Sequence, residues 1–411
     1  MKVAVIGLGK IGLPLAAQYA SRGLDVAGCD IDGTKVDRIN AGDCPVAGEE
    51  GLEEALAAAL RDGRLRATTE TAQAVAESDV AVIIVPVGLT DANKPDYAAF
   101  DAAVASVREG LRPGTLVVVE TTVPVGTTRG RAGAVLGEGA RLAASPERVS
   151  SGRIFRDLRA YPKIIGAIDE ASWQQAEAFY GAALEAPCLL RVKDPETAEF
   201  AKLAEGVYRD ANIALASELA RYADELGIDV TEAIDAANSQ PYSHLHAPGV
   251  GVGGHCLPVY PHFLPDGLRL PALAREVNDA MAAYGVGRLE AALGSLRGAS
   301  VLVLGLAYRA NVKEAAHSSA FGIVAALRER GATALVHDPL FGDDEVRALG
   351  LEPPATFPVD VDAVAVQAPH DAYRELDWSA FGRCRAVLDG RNALDRAAVE
   401  AAGLRYVGIG R

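Results

Sequence analysis

Short runs of β-branched and apolar residues recur along the chain, separated by stretches in which apolar positions return every three or four residues. Runs of the first kind predict strands buried on both faces, and the longer periodic stretches predict helices laid over them. In the first half, strands are expected at Lys2–Ile6, Asp25–Cys29, Asp79–Val85, Thr115–Val119, Arg141–Ala144 and Lys163–Ile168. Helices are expected near Gly51–Arg61, Ala98–Glu109, Thr127–Leu136 and Glu170–Leu184. From Pro195 to Gly227 the period is helical throughout, and Ala198, Ala201, Leu203, Ala204, Val207, Ile213, Leu215, Leu219 and Tyr222 read as one apolar face. Another helix is expected over PALAREVNDAMAAYGVGRLEAAL. After Arg297-Gly298 the alternation resumes, with strands in SVLVLGLAY, TALVHDP, VDAVAVQAP, RAVLDGRN and LRYVGIG and a helix in SSAFGIVAALRERG. The fold class expected is α/β: two Rossmann-like parallel-sheet domains joined by a central helical domain, bounded at 1–194, 195–297 and 298–411.

Ligands of such sheets sit at the carboxyl ends of the strands, so the loops there carry the candidate chemistry. The first strand runs into Gly7-Leu8-Gly9-Lys10-Ile11-Gly12 and then a helix, and the second ends at Asp30. Glycines let a backbone approach a pyrophosphate at a helix N-terminus, and an acid about 20 residues on suits ribose hydroxyls. Gly7, Gly9, Lys10, Ile11, Gly12 and Asp30 are therefore assigned to NAD. Asp30 disfavours a 2′-phosphate, while Lys35 nearby pulls the other way. Thr121 and Thr122 follow the fourth strand and either contact cofactor or substrate or cap the next helix. Glu147 and Arg148 emerge from the next strand end.

The stretch APGVGVGGHCLPVYPHFL places Gly249, Gly251, Gly253 and Gly254 before Cys256, with Pro248, Pro258 and Pro261 around it. Glycine run, thiol and proline together read as a fixed loop presenting sulfur to a pocket, the alternative being a tight turn with an inert buried cysteine. Lys202, among small residues of the long helix, either is a solvated lysine or reaches into a pocket. Arg309 and Arg391, at strand ends of the last segment, either suit a diphosphate or are plain surface arginines. His244, His246, His255 and His262 cluster around Cys256 but match no zinc-site spacing, and no metal is expected.

Composition narrows the partners. A 411-residue chain with net charge −15 spread along it disfavours nucleic acid and anionic membranes. Five scattered cysteines without a CxxC pair point to a reducing compartment, and no apolar run approaches membrane-spanning length, so a soluble cytoplasmic protein is expected. The long helix is also the place expected to carry a homodimer interface.

In order along the chain, GLGKIG, TTVPVGTT, SPERVSSGRI, AEFAKLAEGVYRDANIAL, GVGGHCLPVYPHFL, AREVND, GLAYRANV and DGRN resemble the UDP-glucose/GDP-mannose dehydrogenase family over nearly the whole length. His255 before the cysteine, with SPERVSSGR, is similar to the branch acting at C6 of UDP-N-acetylmannosamine or UDP-N-acetylglucosamine. The resemblance implies an NAD-dependent oxidation of a UDP-sugar at C6 to the uronate, through a thiohemiacetal and a thioester on a cysteine. By position it implies Cys256 as the nucleophile, Lys202 as the lysine that steadies the oxyanion, Thr122 as the threonine that positions water or cofactor, and Glu147 as the glutamate beside the sugar. It further implies substrate contacts from Arg148, Gly253, Arg309 and Arg391, Arg309 standing where the family has a lysine.

The chain also departs from that family's pattern. Tyr260 stands where the family has an aspartate associated with activating water, and Gly206 where it has an asparagine contacting oxyanion and substrate. Ala316 replaces a cofactor-contacting arginine, and Val87 a threonine. Each change removes a polar group, and loss of one oxyanion donor typically costs about 10²–10³ in rate. Three functions follow: a four-electron dehydrogenase, a relative doing a two-electron or redox-neutral reaction on an unusual nucleotide sugar, and a non-catalytic nucleotide-sugar-binding protein. Retention of Cys256, Lys202 and Glu147 argues against the last.

Overall fold

The structure is a computed structural model that describes residues 1–185 and 188–411. Among the described residues the first sheet has eight strands: β1 (Lys2–Ile6), β2 (Asp25–Cys29), β3 (Leu65–Thr68), β4 (Val80–Ile83), β5 (Leu116–Val119), β6 (Arg141–Ala144), β7 (Lys163–Ala167) and β8 (Leu189–Val192), in the order β3-β2-β1-β4-β5-β6-β7-β8. The central strands are continuous apolar runs with nearly every residue buried, as a sheet covered on both faces requires. Leu13, Leu15, Tyr19, Phe179 and Tyr180 close the core against it. Pairing is parallel except between β6 and β7, which run antiparallel.

A second sheet of five parallel strands follows: β9 (Ser300–Leu304), β10 (Thr333–His337), β11 (Ala363–Val366), β12 (Ala386–Asp389) and β13 (Arg405–Gly408), ordered β10-β9-β11-β12-β13. Ala216, Ala220 and Ala223 of the long helix (Pro195–Leu226), with Met281 and Val286 of the helix Arg269–Leu293, share one core with Val301, Val303, Leu388 and Ile409. The chain divides into two compact units, 1–205 with 262–265, and 206–261 with 266–411. Among the described residues no helix is long and apolar enough to cross a membrane.

The structure corrects the expected elements in four places. β3 and β8 lie in stretches read as connections, as do helices Gly33–Asn40, Thr71–Ala76 and Ile154–Ala160. The expected helix at Thr127–Leu136 opens with a wide π-helical turn, Thr127–Ala132. Strand ends are shorter than expected: Asp79–Val85 narrows to β4 and Lys163–Ile168 to β7. On the long helix the expected apolar face splits. Ala198 and Leu203 are buried, but Ala204, Leu215, Leu219 and Tyr222 are exposed, and the buried side is built of small residues, Ala214, Ala216, Ser217, Ala220 and Ala223. Small side chains let a helix lie close to its neighbours, so the larger ones are left on the outer side.

Candidate functional site

Cys256 is exposed, which removes the reading of an inert buried thiol. Its carbonyl accepts from the amides of Val259 (3.1 Å) and Tyr260 (2.9 Å), so the chain turns helically straight after the thiol and continues into the 3₁₀ turn Tyr260–Phe263. Residues four apart in such a turn share a face. The phenol of Tyr260 accordingly donates to Cys256 Sγ at 3.2 Å.

The glycines before the thiol are set by crowding. Gly251 and Gly254 have φ of +116° and +95°, conformations that side chains with a Cβ rarely adopt. A Cβ on Gly253 would stand 2.7 Å from the His317 carbonyl and 2.8 Å from Tyr308 Cβ. The loop is held from the second sheet's side: Gly254 N donates to Ala316 O (2.8 Å), Val250 N to Gly390 O (3.0 Å), and Arg391 donates to Gly251 O (2.8 Å) and Gln367 O (2.9 Å). Burial pushes the Arg391 guanidinium down to about 10, with Asp389 acting against the fall. Arg391 is thus an internal brace of the cysteine loop, and its reading as a plain surface arginine is corrected. Arg309 is exposed with its guanidinium 5.9 Å from the Tyr308 ring centre. His255 Nε2 lies 2.9 Å from Glu314.

In the other unit, the turn after β1 is shaped for a close ligand. Gly7 has φ +103°, and a Cβ on Gly12 would fall 1.8 Å from Gly7 O, so both must be glycine. A Cβ on Gly9 would meet nothing within 4 Å, leaving its backbone open. The helix Gly12–Ser21 has no side-chain cap; Leu13 N donates to Gly9 O and Leu15 N to Ile11 O, and Pro14 has no N–H, so the chain enters the helix directly from the glycine turn. Lys10 is exposed and Ile11 half-buried in this turn. Asp30 accepts from Leu8 N (3.0 Å) and from Lys35 Nζ (2.9 Å). Burial pushes the Asp30 carboxyl up, but the bonds from Lys35 and the Asp32 and Leu8 amides outweigh it and hold it below the usual range. Asp30 therefore pins the glycine turn while standing at the end of β2. These residues fit a dinucleotide.

Glu147 belongs to a buried ion cluster in the same unit. Lys163 Nζ lies 2.6 Å from Glu147 and 3.2 Å from Glu120, and all three side chains are almost fully buried. Tyr180 and Tyr19 donate to Glu120 at 2.5 and 3.1 Å, and Glu147 accepts from Arg148 N. Burial acts to lower Lys163, but the two carboxylates outweigh it and hold the ammonium above its ordinary value. Burial raises the Glu120 carboxyl, with Lys163 pulling it back. Arg148 is engaged by Glu205 through both Nε and Nη2 and by the Pro162 carbonyl. Thr121 donates to Val85 O and Ile83 O, an internal link, whereas Thr122 is half-buried. The loop around Thr122 is fixed by Glu199, which accepts from Gly126 N and Thr128 N. Lys202 is half-buried on the long helix, one turn before Gly206.

One unit thus contains the dinucleotide turn, Thr122, Glu147, Arg148 and Lys202, and the other contains Gly253, Cys256, Arg309 and Arg391. Three participants were passed over in sequence: Glu120, Lys163 and the Tyr260 hydroxyl. Glu120 carried a signal, since it ends the apolar run of β5, and Lys163 opens β7. A thiol acceptor for Tyr260 carried none.

Comparison with known proteins agrees over all three segments. Family models for the NAD-binding, central and UDP-binding domains of the UDP-glucose/GDP-mannose dehydrogenase family match residues 1–184, 196–281 and 302–396. A UDP-N-acetyl-D-mannosamine dehydrogenase of Pyrococcus horikoshii is 35% identical over 100% of this chain and 99% of its own. An NDP-N-acetyl-D-galactosaminuronic acid dehydrogenase of Ralstonia solanacearum is 35% identical over 95% of each. Among solved structures, a UDP-glucose dehydrogenase of Pyrobaculum islandicum superposes with TM-score 0.89 at 32% identity, over 100% of this chain and 97% of the other.

Proposed function

Since the chain belongs to the UDP-glucose/GDP-mannose dehydrogenase family, we propose that it uses NAD to oxidise C6 of a UDP-N-acetylhexosamine or UDP-hexose to the carboxylate, with Cys256 as the nucleophile between the two oxidations. The observation that carries this reading is an exposed thiol at the head of a glycine loop braced by Arg391, Ala316 and Gly390. The segment 1–194 holds NAD, 195–297 supplies the cysteine loop, and 298–411 holds the nucleotide end of the substrate.

The turn Gly7–Gly12 would hold the NAD pyrophosphate and Asp30 its ribose, and NAD when bound supplies the hydride acceptor. The remaining work falls to the chain's own groups. The Cys256 thiolate adds to the C6 aldehyde carbon, and the carbonyl oxygen takes the charge and then a proton. The thiohemiacetal again has a hydrogen on C6 to give up, and its oxidised form is a thioester. Water breaks the C–S bond, returning the thiol and releasing the carboxylate. Lys202 is assigned to offset charge on the oxygen, Thr122 and Glu147 to order water, and Arg148, Gly253, Arg309 and Arg391 to the substrate side. For Arg148 and Arg391 that role is positional, since both guanidinium groups have internal partners.

A second reading, a two-electron or redox-neutral reaction, rests on Tyr260 and Gly206 standing where the family pattern has an aspartate and an asparagine. Counting NADH against UDP-sugar consumed separates the two. The four-electron reading expects two per sugar, and one or none favours the second.

The long helix also supports a homodimer. Tyr208, Leu215, Leu219, Tyr222 and Leu226 are exposed and recur at intervals of seven, four, three and four residues, a single stripe along the helix. Sedimentation is expected to give twice the 42.8 kDa chain mass, and a monomer at micromolar concentration would count against the interface. Work in the cytoplasm is consistent with free cysteines throughout the described residues.

A further inference from the structure

Two unusual positions meet in one contact. A Cβ built on Gly206 would stand 2.7 Å from Tyr260 Cδ2 and 3.5 Å from Tyr260 Cβ, so the ring lies flush against a helix backbone that has no side chain there. Tyr260 is 8% exposed. Its position is fixed from both sides: by Gly206 on the long helix, and by the helical turn in which Tyr260 N bonds Cys256 O. A ring so placed has little freedom to swing, and its hydroxyl ends 3.2 Å from Cys256 Sγ, donating to it. Any side chain on Gly206 would displace the ring, and with it the hydroxyl.

We propose that Gly206 and Tyr260 act as one device, in which the glycine seats the phenol and the phenol holds the Cys256 sulfur in its thiolate form. This rests on the reading of Cys256 as the nucleophile. A hydrogen bond to an ionised acceptor is roughly twice as strong as one between neutral groups, so the donor favours the anion over the thiol. The step it serves balances without an oxidant. The thiol gives its proton to solvent, the S–C bond forms as the carbonyl π pair moves to oxygen, and oxygen takes up a proton. The phenol keeps its own proton and turns with the sulfur from thiolate to thioether.

Other titratable groups face this loop from the same unit. Tyr308 packs against Gly254 and interacts with Cys256, with Arg309, Arg209 and Glu314 around it, and His255 is paired with Glu314. None of these is altered by removing one hydroxyl from Tyr260, so Tyr260→Phe removes the bond while keeping the ring on Gly206.

The test is the pH profile of iodoacetamide alkylation at Cys256, read by mass spectrometry of the peptide carrying it, for the full-length protein. Tyr260→Phe is expected to move the midpoint up by about one pH unit, a roughly tenfold fall in alkylation rate below the midpoint. In turnover, kcat on the C6 aldehyde is expected to fall near neutral pH and to recover as pH rises, with KM little changed. Gly206→Ala, which pushes the ring from its seat, is expected to shift the midpoint in the same direction, and unaltered far-UV circular dichroism confirms that it folds. A midpoint for Tyr260→Phe within about 0.3 unit of the parent, or below it, overturns the proposal. The nucleophile reading stands or falls separately on aldehyde oxidation by Cys256→Ala: an active variant sinks that reading, whereas an unmoved alkylation profile sinks only the role of Tyr260.

Discussion

Cys256→Ala is expected to lower NADH formation from the C6 aldehyde by about 10³-fold or more, equivalent to about 4 kcal/mol of barrier. Without sulfur the aldehyde forms no thiohemiacetal from which a second hydride can leave, whereas oxidation of the alcohol to the aldehyde does not need the thiol. The variant should therefore release aldehyde, recoverable as an oxime, and give at most one NADH per UDP-sugar. The thiol is exposed, so its removal leaves little cavity and the melting temperature should stay close to the parent's. Parent-like turnover of supplied aldehyde would end the role assigned to this residue.

The second large effect concerns stability. Lys163→Met is expected to destabilise the protein by about 3–5 kcal/mol, the usual cost of removing one partner from a buried ion cluster. The ammonium lies between Glu147 and Glu120, both largely removed from water, and methionine is unbranched and only one atom shorter, without the charge. Glu120 would retain Tyr19 and Tyr180 as donors, but Glu147 would lose its cation. Adding Glu147→Gln should recover part of the loss, because one uncompensated carboxylate disappears. Urea unfolding of the three proteins in parallel checks this, and a Lys163→Met midpoint equal to the parent's would mean that the cluster contributes nothing net.

The sheets were legible because their central strands are unbroken apolar runs, as in VLVL of β9 or VVV of β5, which no helix period explains. β3 and β8 were not, because LRAT and LLRV are short edge strands that carry arginine and are only partly buried. The long helix misled in a different way. Sequence reading counts the large apolar residues, whereas here Ala216, Ala220 and Ala223 face the core and Leu215, Leu219 and Tyr222 do not. At the candidate site, the glycine turn before the thiol was readable from residue types alone. The bond from Tyr260 was not, because it depends on a helical turn beginning at Cys256 and on an empty place at Gly206. Likewise, the bracing role of Arg391 was not readable, because a strand-end arginine looks the same in sequence whether it faces a ligand, solvent or a neighbouring carbonyl.

The bonds from Arg391 to Gly251 O, from Gly254 N to Ala316 O and from Val250 N to Gly390 O join a loop in the middle of the chain to residues translated much later. A nascent or truncated polypeptide ending before the second sheet would possess the sulfur but lack the mould around it. Reactivity at Cys256 should therefore appear only once the C-terminal strands have folded, and grafting the central segment onto a foreign partner would transplant a cysteine without its surroundings. In evolution, such a segment and its C-terminal neighbour would be inherited or lost together.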